Sequence, residues 1–134
     1  MLIRSISGVR GLVASHLTPA IVQVYARAVN DLLPAGEIVL GRDSRPSGVA
    51  LTNAIAEELT ALGRDVVDCG IVPTPTVQFV TEQSIAIGGI VVTASHNPIE
   101  WNGLKFVRAD GTFFLPDECK QLFNHVDAGC DTIH

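Results

Sequence analysis

Ile85-Ala86-Ile87-Gly88-Gly89-Ile90-Val91-Val92-Thr93, followed at once by Ala94-Ser95-His96-Asn97-Pro98, is the stretch that decides the fold. Ile and Val branch at Cβ and favour pleated backbone, and a short apolar run without polar alternation suits a strand buried on both faces. It predicts a central strand over 85–93 that ends in a small polar loop closed by Pro98. Upstream, Thr18-Pro19 is a helix start, since Thr can cap orphan amides and Pro at the first position loses nothing by lacking an N–H. Ile21, Val22, Tyr25, Val29, Leu32 and Leu33 then recur on one helical face until Pro34 and Gly36 stop it. A short strand is expected over 37–41 and a helix over 46–62, with Ser47 as its cap and Gly63 as its stop. A strand over 66–69 leads through Pro73 to a short helix opened by Thr74 and Pro75. Downstream, a strand over 103–107, a turn at Asp110-Gly111 and a helix over 116–126 close the chain. Strands alternating with helices predict one α/β domain over 1–134, a three-layer α/β/α sandwich around a mostly parallel, mixed sheet of about four strands.

The composition narrows the function. The chain has 134 residues, 47% apolar and 17% charged, with net charge −5, which suits a globular domain. A mildly acidic chain without a basic run argues against nucleic acid or an anionic membrane as partner. No apolar stretch is long enough to span a bilayer. Met1-Leu2-Ile3-Arg4-Ser5-Ile6 lacks the pattern of a secretory signal, so a cytoplasmic location is expected. Cys69, Cys119 and Cys130 show no CxxC spacing, and reduced thiols are the simplest reading. Only seven Arg and two Lys are present, so any anion must be held by cations placed locally.

Three polar segments interrupt the apolar plan: Ser7-Gly8-Val9-Arg10-Gly11, Gly41-Arg42-Asp43-Ser44-Arg45-Pro46-Ser47-Gly48 and Thr93-Ala94-Ser95-His96-Asn97-Pro98. All three are expected where strands end or loops begin. The second and third directly follow predicted strands, at the carboxyl edge where ligands gather in open α/β sheets. Ser95 sits beyond the central strand, next to small Ala94, as an accessible hydroxyl. A turn serine bonded to its own backbone is the ordinary alternative. A triad hydrolase is disfavoured, because there is no GxSxG elbow and His96 is the immediate neighbour of Ser95.

Thr93-Ala94-Ser95-His96-Asn97-Pro98 with Asn102-Gly103-Leu104-Lys105-Phe106 resembles the active-site serine loop of the α-D-phosphohexomutases, which include phosphoglucomutase, phosphomannomutase and phosphoglucosamine mutase. Ser7-Gly8-Val9-Arg10-Gly11 resembles that family's N-terminal loop, and Gly41-Arg42-Asp43-Ser44-Arg45 its GxDxR strand end. The resemblance covers nearly the whole chain but only the first of the family's four domains. It implies that Ser95 carries a phosphoryl group, that Lys105 reaches the transferring phosphate, and that Arg10 lies beside the phosphoserine. It further implies a role for His96 near the phosphate or the transferring hydroxyl. Arg42, Asp43, Arg45 and Asn97 are expected to bind phosphate or support the loop, an Arg-Asp-Arg triplet being equally suited to a structural ion-pair network. Ser47 is taken as a helix cap, and Trp101 as packing under the loop.

The residue types suit phosphoryl transfer, which needs positioning and charge neutralisation more than covalent help. A phosphoserine carries about −1.5 to −2 charge; Arg grips phosphate with parallel hydrogen bonds, and Lys can serve as general acid or base. By the resemblance, the parent enzyme interconverts hexose 1-phosphate and 6-phosphate through a hexose 1,6-bisphosphate. The same resemblance places Mg²⁺ against the phosphoryl group of Ser95, held by an acidic DGDxDR-type loop of another domain. That loop is absent from this chain, so the chain alone is expected to be inactive and to act with further domains of the same polypeptide. The rival reading is a non-catalytic domain of the same fold that binds sugar phosphate or regulates. A nucleotide-binding domain lacks support, for there is neither a P-loop nor a Rossmann glycine fingerprint.

Overall fold

In a computed structural model, residues 2–129 are described; Met1 and Cys130 lie outside them. The chain runs β1 (Ile3–Ser5), β2 (Gly8–Leu12), α1 (Pro19–Leu32), β3 (Ile38–Arg42), α2 (Gly48–Ala61), β4 (Val66–Ile71), α3 (Thr74–Gln83), β5 (Gly88–Val92), β6 (Trp101–Arg108), α4 (Pro116–Asp127). The six strands form one sheet in the order β1-β2-β6-β5-β3-β4. β3 runs parallel to β4 and β5, while β5–β6, β6–β2 and β2–β1 are antiparallel.

The sheet is therefore mixed, with more antiparallel than parallel pairing, and among the described residues it has six strands where the pattern predicts about four. The physical reason lies in two connections. Residues 93–100 are too few for a crossover helix, so the chain can only return antiparallel from β5 to β6. The first strands form a tight hairpin around Ile6-Ser7, in a segment whose sequence reads as a polar loop. Arg10 accordingly stands inside strand β2, not in a loop.

Pleating separates the faces. Val9, Ile38, Leu40, Ile90, Val92, Leu104 and Phe106 enter the main core with Val22, Tyr25 and Val29 of α1, Leu51, Ile55 and Leu59 of α2, and Leu122 of α4. Their neighbours Val39, Val91 and Val107 face the other way and pack with Val77 of α3. This is the expected three-layer α/β/α sandwich. β5 is buried along its whole length, as a central strand must be. α1 begins as read, with the Ile21 amide donating to Thr18 Oγ1 at 3.3 Å. α2 does not: Ser47 occupies the cap position but makes no capping bond, and its Oγ accepts instead from Asn102 Nδ2 at 2.9 Å. In α3, Thr74 is the first helical residue and Pro73 the cap.

Burial pushes the Cys119 thiol above its ordinary pKa, and the same cause, with Asp68 nearby, raises Cys69. Both are free thiols. No helix among the described residues is long and apolar enough to cross a membrane.

Candidate active site

Beyond Val92 the chain leaves the sheet, and Ser95 adopts φ 55°, the left-handed region that side chains avoid. That conformation costs on the order of 1–2 kcal/mol and persists only where surroundings over-determine it. Here they do. The Ser95 amide donates to Thr93 Oγ1 at 3.1 Å, and Thr93 Oγ1 donates to Asp43 Oδ2 at 2.7 Å. Asp43 also accepts from the Arg45 amide and from Arg45 Nε, both at 3.1 Å.

Arg45 then grips the loop itself. Its Nη2 donates to the carbonyls of Ser95 and Asn97 at 2.9 and 2.8 Å, and its Nη1 to those of Pro98 and Trp101 at 2.7 and 3.0 Å. A guanidinium has five N–H donors, and all are used. Arg45 thus has no donor left for a phosphate; of the two roles expected for it, the geometry is that of loop support. Asp43 stands in the same network.

The face beside Ser95 is built by β2 and β6. Leu104 and Phe106 enter the main core, so Lys105 between them projects to the opposite side, as Arg10 does after Val9. Lys105 Nζ donates to Ser95 Oγ at 3.0 Å, and Arg10 Nη1 donates to Asn97 Oδ1 at 2.8 Å. Two glycines make this approach possible. Arg10 is paired with Gly103 across the ladder, where a Cβ would stand 2.9 Å from Arg10 Cγ; the bare backbone lets the arginine stem cross β6. Gly8, at φ +129°, lets the hairpin press on β6, since a Cβ there would lie 2.0 Å from the Leu104 carbonyl oxygen. The result is a cavity of about 140 Å³ lined by Ser5, Ser7, Arg10, Thr93, Ser95 and Lys105, among others.

The other expected residues fall outside this cavity. His96 is exposed and makes no side-chain hydrogen bond among the described residues. Arg42 ends β3 with its stem along Gly48 at the start of α2, where a Cβ on the glycine would lie 3.1 Å from Arg42 Cδ. The Asn97 side chain reaches the site through its bond from Arg10. Trp101 begins β6 half-buried, its carbonyl held by Arg45. A larger concavity of about 520 Å³ lies at the other end of the strands around Asn30, Gly36 and Arg64. There Arg64 donates to Asn30 Oδ1 and to the carbonyls of Asn30, Leu33 and Gly36, which ties down the end of α1 rather than leaving a cation for a ligand.

Residues 2–131 match the family model described as phosphoglucomutase/phosphomannomutase, alpha/beta/alpha domain I. The chain belongs to this family. A phosphoglucosamine mutase of Alkaliphilus metalliredigens is 41% identical over 118 residues, 85% of this chain and 26% of that protein. A crystal structure from Thermus thermophilus has TM-score 0.88 at 33% identity, covering 93% of this chain and 30% of that one. A phosphoglucomutase/phosphomannomutase family protein from Burkholderia thailandensis has TM-score 0.81 at 31% identity, covering 97% and 31%. The chain spans about a quarter of the length of the curated relatives it matches, 27% in one case and 26% in another.

Within this phosphohexomutase domain, three residues of the site carry no distinct signal as candidates in the sequence. Thr93 stands there only as part of a motif, yet it links Asp43 to the Ser95 amide. Phe113 lies with its ring centroid 5.7 Å from Lys105 Nζ, after a turn that gives no hint of it. Ser5 lines the cavity because it ends β1, a strand too short to show a pattern in the sequence.

Proposed function

We propose that this chain is the phosphoserine-bearing domain of an enzyme that interconverts hexose 1-phosphate and hexose 6-phosphate. The 3.0 Å hydrogen bond from Lys105 Nζ to Ser95 Oγ is the observation that carries the reading. An ammonium aimed at a strained, exposed serine hydroxyl has no structural task as evident as that of Arg45. It suits the oxygen from which a phosphoryl group departs.

In the proposed reaction, phospho-Ser95 donates its phosphoryl group to the free hydroxyl of the sugar monophosphate. The bond from phosphorus to Ser95 Oγ breaks as a bond to the sugar oxygen forms, giving hexose 1,6-bisphosphate. Lys105 stabilises charge on Oγ and can supply its proton, Arg10 faces the phosphoryl oxygens, and exposed His96 is the imidazole beside Ser95 for the hydroxyl proton. After the bisphosphate reorients, Ser95 Oγ accepts its other phosphoryl group, and the bond from that phosphorus to the sugar oxygen breaks. The loop's fixed geometry supplies positioning without reorganisation during transfer.

Mg²⁺ supplies charge neutralisation in such transfers. Among the described residues no group of three or more His, Cys, Asp or Glu could hold a metal ion. The residues around Ser95 do not fit Mg²⁺ by themselves, so its carboxylates belong to another part of the polypeptide. The relatives' length supports that division, as do the exposed Ile6, Phe113 and Leu115, apolar surface suited to packing by further domains. The chain alone then turns over no substrate. Names of relatives favour glucosamine phosphate as the first sugar to assay.

The test is made in the complete polypeptide. Intact-mass analysis should find about 80 Da on Ser95, and Ser95→Ala should remove nearly all mutase activity while leaving the circular dichroism spectrum unchanged. Activity within a few-fold of the unsubstituted enzyme would falsify the assignment. Sugar phosphate binding without turnover or phosphorylation would favour the non-catalytic reading.

A further inference from the structure

The cavity beside Ser95 holds two hydroxyls that the transfer described above does not use. Ser5 Oγ and Ser7 Oγ lie 3.0 Å apart, and Ser5 Oγ accepts from the Ser7 amide at 3.2 Å. Both line the cavity that Ser95, Arg10 and Lys105 share. Two hydroxyls carry two protons, and their mutual bond consumes one, whichever oxygen donates. The other proton has no acceptor among the described residues. If Ser7 donates to Ser5, the Ser5 proton is free; if Ser5 donates to Ser7, the Ser7 proton is free.

We infer that the Ser5–Ser7 hydroxyl pair is a further phosphoryl-binding element, donating its unused O–H to a non-bridging oxygen of the group on Ser95. The inference rests on the reading of Ser95 as phosphoryl carrier. A phosphoryl group presents three acceptor oxygens. Lys105 is already directed at Oγ and Arg10 is anchored on Asn97, and the hairpin adds a neutral donor that lines the same cavity. It adds orientation without adding charge, and its proton remains on the serine. Gly8 makes the arrangement possible by letting the hairpin seat against Leu104.

The pair predicts an unusual pattern of substitution. Either serine alone still leaves one hydroxyl with a free proton, so Ser5→Ala and Ser7→Ala each lose little compared with the double variant. In the complete polypeptide, single-turnover transfer from phospho-Ser95 to glucosamine 1-phosphate should slow about 10- to 100-fold in Ser5→Ala/Ser7→Ala, the usual effect of removing a hydrogen bond to a charged group. Ser5→Ala/Ser7→Thr, which returns one hydroxyl, should recover most of that rate. A second measurement is independent of turnover. With phosphoserine installed at position 95 of this chain, a ³¹P titration should show the second phosphate pKa rising in the double alanine variant, because a donor to the dianion is lost. A double variant whose transfer rate and ³¹P titration both match the unsubstituted protein overturns the inference. So does a slowed transfer that Thr fails to restore and that leaves the titration unchanged, for that is the mark of a displaced hairpin. Failure of the underlying reading looks different: Ser95→Ala retains activity, whatever the hairpin does.

Discussion

Lys105 Nζ stands 3.0 Å from Ser95 Oγ, although ten residues and a reversal of chain direction separate them. The contact exists because β6 returns antiparallel beside β5 and presents Lys105 on the face away from the main core. A cation so placed acts most strongly when charge develops on Oγ. Lys105→Met in the complete polypeptide is therefore expected to lower kcat by about 100- to 1000-fold while changing KM only a few-fold. Steady-state kinetics decide it. An unchanged kcat with a raised KM would reduce Lys105 to a contact with bound substrate.

Arg45 is expected to matter for the loop before it matters for chemistry. Its side chain is only 11% exposed, and its planar fork meets four carbonyls and a carboxylate. A lysine keeps the charge but not the fork. Arg45→Lys should cost about 2–4 kcal/mol of stability, in the range for a broken, largely buried charged network. Denaturant melts of this chain would show it, and a loss below about 0.5 kcal/mol, the level of an ordinary surface change, would contradict the role.

Gly8→Ala tests how closely the hairpin must sit. The added methyl meets the Leu104 carbonyl oxygen at 2.0 Å, and φ +129° is unsuited to any Cβ. The hairpin must lift from β6, at a cost of about 2 kcal/mol or more. Arg10 should move with it, so amide chemical shifts along β2 and β6 should change together. A variant as stable as the original, with those shifts unmoved, would refute the argument.

A pH effect is expected at the other side of the hairpin. Arg4 donates two bonds to Asp127, at 2.9 and 2.8 Å, and this holds the Asp127 carboxyl below its ordinary pKa. A lowered folded-state value means that the contribution is complete above the unfolded pKa of about 3.9 and disappears as pH falls through the folded value. Asp127 is 60% exposed, so solvent screening limits the pair to about 0.5–1 kcal/mol. The stability difference between the original chain and Asp127→Asn should be constant from neutral pH down to about 5 and shrink below about 4. A difference that grows in acid would reverse the sign of the argument.

By itself the sequence determined the helices, the strands that follow them and the serine loop. Those features rest on local chemistry: Thr18 before Pro19, the β-branched run at 85–92, and apolar residues repeating on one helical face. It also determined the ordered motifs that resemble the phosphohexomutases, and residues 2–131 match that family's domain I. What only the tertiary structure decided is which polar groups meet. Arg10 reads as a loop residue until the hairpin pairs it with Gly103, and Ser47 reads as a cap until Asn102 takes its hydroxyl. Arg42 and Arg45 stand three positions apart in one motif, yet one lies along α2 and the other holds the carbonyls of Ser95, Asn97, Pro98 and Trp101 while bonding Asp43. Hydrogen bonds between distant segments depend on strand order and register, and a linear pattern encodes the face of a strand but not its neighbour.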